Sequence, residues 1–77
     1  MDSERVNELE DDLHAVADAV KADAQALQAI EERKTETSGD HRRLASLSKQ
    51  ALELAGEIAA KTRIEAGLAR ELRGSSD

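Results

Sequence analysis

Apolar residues recur along the chain at alternating intervals of three and four. Val6, Leu9, Leu13, Val16, Val20, Leu27 and Ile30 keep this rhythm with a single miss at Asp23. The spacing fills the a and d positions of successive heptads and predicts an amphipathic helix, with Leu13 and Leu27 at central a positions. A second run, Leu44, Leu47, Ala51, Leu54 and Ile58, repeats the pattern. Leu68 and Leu72 resume it after Lys61 and Glu65 have taken the intervening seam positions.

Between the two runs the pattern breaks at Thr35, Glu36, Thr37, Ser38, Gly39 and Asp40. Small polar residues and a glycine there predict a turn, with Gly39 closing the first helix and Asp40 capping the second. The expected organisation is one domain: helix 1 over about residues 3–37, a turn at about 38–40, helix 2 over about 41–73 and a short polar tail, 74–77. Asp2 or Ser3 is expected to cap the first helix, and Glu4 suits the positive end of its dipole. Gly74 is expected to end the second.

Antiparallel helices joined by a short turn bring together residues whose numbers have a nearly constant sum. Leu9 with Leu68, Leu13 with Ile64 and Ile30 with Leu47 share one such sum, and Val6 with Leu72, Val20 with Ile58 and Leu27 with Ala51 share the next. The centre of this register lies near residue 39, at the turn. The expected fold is therefore all-α: an antiparallel, coiled-coil-like two-helix hairpin. Its core and interface are expected to comprise Val6, Leu9, Leu13, Val16, Val20, Leu27, Ile30, Leu44, Leu47, Leu54, Ile58, Leu68 and Leu72.

Composition adds the matter of size. The chain has 77 residues, with no Cys, Pro or aromatic residue, and 14 of its 30 apolar residues are Ala. A core this small supplies at most about 3–5 kcal/mol without a disulfide or metal. Alanines flank both seams, Ala17, Ala19, Ala24 and Ala26 on the first helix and Ala55, Ala59, Ala66 and Ala69 on the second. Such broad small-residue faces suit packing against two neighbours, so two hairpins are expected to dimerise into a four-helix bundle.

Charge is unevenly divided. Residues 1–38 carry eleven acids and four bases, residues 39–77 six acids and seven bases. Antiparallel folding sets the acidic start (Glu4, Glu8, Glu10, Asp11, Asp12) beside the basic end (Lys61, Arg63, Arg70, Arg73), which favours orientation more than stability. Asp23, Lys61 and Glu65 break the seam; polar groups at such positions can specify register and oligomeric state, and Asp23 is the best placed of them.

Candidate chemistry is sparse. His14 follows Glu10 and Asp11 at the spacing of helical di-iron ligands, but the heptad phase turns Asp11 and His14 to solvent, and helix 2 has no partner His for Glu53 and Glu57. His41 has no Ser, Cys or acid constellation beside it. No catalytic, metal or cofactor residue is assigned. His41, Arg42, Arg43 and Lys49 make a small basic patch at the turn, yet the chain has a net charge of −6 and no aromatic to stack on a base, which argues against nucleic acid. No apolar run approaches the roughly 20 residues of a membrane span, and the acidic Met-Asp-Ser-Glu-Arg start is unlike a signal peptide. A cytoplasmic protein with no membrane or nucleic-acid partner is expected.

Leu68-Ala69-Arg70-Glu71-Leu72 resembles the segment before the phosphoacceptor His of a class of sensor histidine kinases, whose dimerisation domains are also helical hairpins. The next residue here is Arg73, so no function is carried over. The functional expectation is a non-enzymatic assembly module whose partner is a second copy of itself, acting as a small regulator or docking element. The alternative is an acidic adaptor, antitoxin or chaperone-like protein that binds a basic protein.

Overall fold

A computed structural model describes residues 3–37 and 39–76. It consists of two helices, α1 (Ser3–Glu36) and α2 (His41–Ser76), packed antiparallel along their length. Among the described residues there is no strand. The hairpin is a rod of 59 × 14 × 13 Å. Asp2, one of the two expected caps of α1, and Ser38 lie outside the described residues.

The turn is built as its residues dictate. Gly39 has φ 94°, a region that L side chains rarely occupy. Asp40 then caps α2: its Oδ1 accepts a hydrogen bond from the Arg43 amide at 3.1 Å, and its carbonyl accepts from the Leu44 amide at 3.0 Å. On the other side, the Thr37 amide and hydroxyl both donate to the Arg33 carbonyl, at 3.0 and 2.7 Å, and the Thr35 hydroxyl donates to the Glu32 carbonyl at 2.7 Å. The Arg33 carbonyl, one of the four that the end of α1 would leave without an intrahelical partner, is thereby satisfied.

Among the described residues four side chains are buried: Leu9, Ile30, Leu47 and Ala51. Ile30, Leu47 and Ala51 form one cluster near the turn, with Leu27 and Leu54 packed against it. The register neighbours Ile30 and Leu47, and Leu27 and Ala51, thus meet. Val6, Leu13, Val16, Val20, Leu44, Ile58, Leu68 and Leu72 are half-buried along the same seam. Two helices can cover only one side of a seam residue, which is why most of the stripe stays partly wet.

Two details differ from the sequence pattern. Ile64, expected opposite Leu13, is 55% exposed, because α2 keeps its heptad phase through half-buried Lys61 and Glu65, which leaves Ile64 beside the seam. The second helix continues past Arg73 and Gly74 to Ser76. Among the glycines only Gly39 takes a positive φ, so Gly74 keeps helical geometry and does not act as a stop.

Candidate functional site

The hairpin has two broad faces and two narrow edges, and the polar residues sort themselves among them by heptad position. In the seam, Lys61 Nζ donates to Asp23 Oδ2 at 2.7 Å, with the Asp23 side chain 15% exposed. The hydrogen bond to Asp23 holds the Lys61 ammonium above its ordinary pKa of 10.5; desolvation opposes this, while the charges of Asp23 and Glu57 reinforce it. By spacing alone Asp23, Lys61 and Glu65 stand out one by one. That the first two form a pair was hidden, because their positions are offset from the register of the apolar contacts and only the length of a lysine bridges the gap.

One face carries a second cross-helix bridge, Arg5 to Glu71 at 3.0 Å, both side chains more than half exposed. Such a pair is worth only about 0–1 kcal/mol. It joins a cation of α1 to an acid of α2, the reverse of the overall charge division. Exposed Ile64 and Glu57 follow the same flank of α2 as Glu71, at intervals of seven.

The other face is different. Near the turn it opens into a shallow groove of about 360 Å³ whose floor is Leu27 and Ala51 and whose α2 wall is Ser48, Leu52 and Ala55. Glu31 and Lys34, bridged to each other at 3.3 Å, form the α1 rim. Leu52 is 74% exposed and stands beside the groove that it helps to line. No sequence rule for the first seam marks Leu52, since it falls at an outer position; it belongs to a second stripe of uncharged residues on α2.

The remaining candidates stay apart. His14, Asp11 and His41 are exposed, and among the described residues no group of three or more His, Cys, Asp or Glu is placed to hold a metal ion. Arg42, Arg43 and Lys49 are exposed around the turn. Among the described residues no helix is long and apolar enough to cross a membrane. No family model, no curated protein and no solved structure matches the chain.

Proposed function

We propose that the chain is a non-enzymatic assembly module that self-associates, two hairpins packing as a four-helix bundle. The observation that carries this reading is the amount of surface left open. The hairpin exposes 5708 Å². A compact monomer of 8.3 kDa exposes about 4,600 Å² by the usual scaling of surface with mass. The excess, about 1,100 Å², is of the order that one partner contributes to a stable interface, about 800 Å². Four buried side chains among the described residues are a thin core, and a second hairpin would cover the half-buried seam residues.

Sedimentation equilibrium at tens of micromolar tests this. A mass of about 17 kDa, twice the 8.3 kDa chain, is expected; a folded monomer with a cooperative melt refutes it. The exposed acids Asp11, Asp18 and Glu32, seven and fourteen residues apart along the outer edge of α1, favour a second reading, an adaptor for a basic protein. A stoichiometric basic partner in a pull-down, with no self-association, would select that reading.

A further inference from the structure

Building on the self-association reading, we infer that the second copy docks on the face that carries Leu52, related by a two-fold axis along the rod. Both turns then lie at the same end, and α2 of each copy packs antiparallel to α1 of the other.

Three observations single out this face and this orientation. The first is the chemistry of the face. Along α2 it presents Ser48, Leu52, Ala55, Ala59, Thr62 and Ala66, alternating four and three apart like a seam and free of charge over about 27 Å of helix. The Thr62 hydroxyl already donates to the Ile58 carbonyl at 2.6 Å, so its burial would leave no donor unmet. Along α2 the opposite face carries Glu57 and Glu71, the latter bridged to Arg5, whereas the Leu52 face takes its charges from α1, where Glu31 and Lys34 at the groove rim are already bridged to each other.

The second observation is the position of knob and hole. Leu52 and the groove beside it lie on the same face, so a two-fold contact, which uses one patch on both copies, can seat each Leu52 against the partner's groove. Leu52 lies twelve residues beyond Asp40, about 18 Å from the turn. With turns at the same end, each Leu52 is level with the partner's groove. With turns at opposite ends of a 59 Å rod, fully overlapped copies would hold the two Leu52 side chains about 20 Å apart along the axis.

The third is charge complementarity. The outer edge of α1 carries Asp11, Asp18 and Glu32 with a break at Gln25; that of α2 carries Arg42, Lys49, Arg63 and Arg70 with a break at Gly56. All are exposed. Each edge borders its helix's outward face as e and g positions border a coiled-coil seam, where charges set orientation. The same-end arrangement lays each acidic edge along the partner's basic edge, Asp11 near Arg63 and Arg70, Glu32 near Arg42 and Lys49. The two breaks overlap in height, Gln25 lying within about 5 Å of the level of Gly56. The opposite-end arrangement sets acid against acid and base against base.

The test uses the full chain, which has no native Cys. A nitroxide on H41C, at the exposed first residue of α2, is measured by pulsed electron resonance. A spacing of about 20 Å, the diagonal between the two α2 helices of the bundle plus the labels, is expected; a spacing near the 59 Å rod length overturns the orientation. In parallel, sedimentation should find Leu52→Lys monomeric and Ile64→Lys, on the opposite face, still dimeric. A dimeric Leu52→Lys variant overturns the choice of face. Monomeric wild-type chain defeats the self-association reading itself, so the two failures are distinct. Should Leu52→Lys fail to fold, the label distance still decides the orientation.

Discussion

Asp23 and Lys61 close a hydrogen-bonded ion pair across the seam at 2.7 Å, although their residue numbers do not fit the register of the apolar pairs around them. The offset follows from helix geometry. Cα–Cβ bonds tilt toward a helix's own N-terminus, so in an antiparallel pair Asp23 leans toward the C-terminal half of α2 and Lys61 leans back to meet it. A short acid and a long base bridge what two leucines cannot.

Replacing both members of this pair by Leu should therefore raise the melting temperature, since the seam loses a desolvation penalty and gains apolar contact. The same change removes a polar pair that penalises a slipped register, so sedimentation velocity should show mixed oligomers. Asp23→Leu alone should melt below the double variant, because the Lys61 ammonium is left without its acceptor. A double variant that melts below wild type and keeps one oligomeric state would show that the pair stabilises and does not specify.

The pair also predicts a dependence on pH. Lys61 has its pKa raised above 10.5 by Asp23, so the protonated form is favoured by folding. Its contribution is fully present below the unfolded value and is lost as the pH rises through the folded one. The melting-temperature advantage of wild type over Lys61→Gln should be level from pH 6 to 9 and shrink above about pH 10.5. An advantage that shrinks instead between pH 9 and 7 would mean that another group governs it.

Most of the hairpin was legible in the sequence because its signals are local and redundant. The three-and-four spacing set the phase of both helices, and Gly39 and Asp40 marked the reversal. What escaped was of two kinds. Ile64 looked like a seam residue by type, but its heptad position lies outside, and position prevailed over hydrophobicity. Leu52 lies outside the main stripe of α2, in a second stripe offset from it by one residue. The reach of a lysine is likewise absent from any list of spacings.

Core substitutions should separate buried from half-buried positions within that phase. Leu47 is 4% exposed and belongs to the cluster with Ile30 and Ala51. Leu47→Ala should lower stability by about 2–4 kcal/mol. Ala22, exposed on α1, should accept Ser with a change within about 0.5 kcal/mol. Denaturant titration of both variants checks this; equal effects would mean that the packing phase is wrong.

Gly39 and Gly56 should respond to the same substitution with opposite signs. Neither has a heavy atom within 4 Å of the place an added methyl group would occupy, so steric clash is not at issue and only the backbone decides. At Gly39, with φ 94°, an alanine is forced into a conformation unfavourable for L residues, and Gly39→Ala should lower stability by about 1–2 kcal/mol. At Gly56, inside α2 and exposed, alanine removes unfolded-state entropy at no cost in the helix, and Gly56→Ala should raise stability by about 0.5–1 kcal/mol. The methyl group at Gly56 falls in the gap of the basic edge, where it adds no charge, so oligomeric state should be unchanged. Chemical denaturation of the two variants at one protein concentration provides the comparison. Stabilisation at both sites would show that the turn relaxes to an ordinary conformation, and loss at both would mean that Gly56 is packed against a neighbour in the assembled protein.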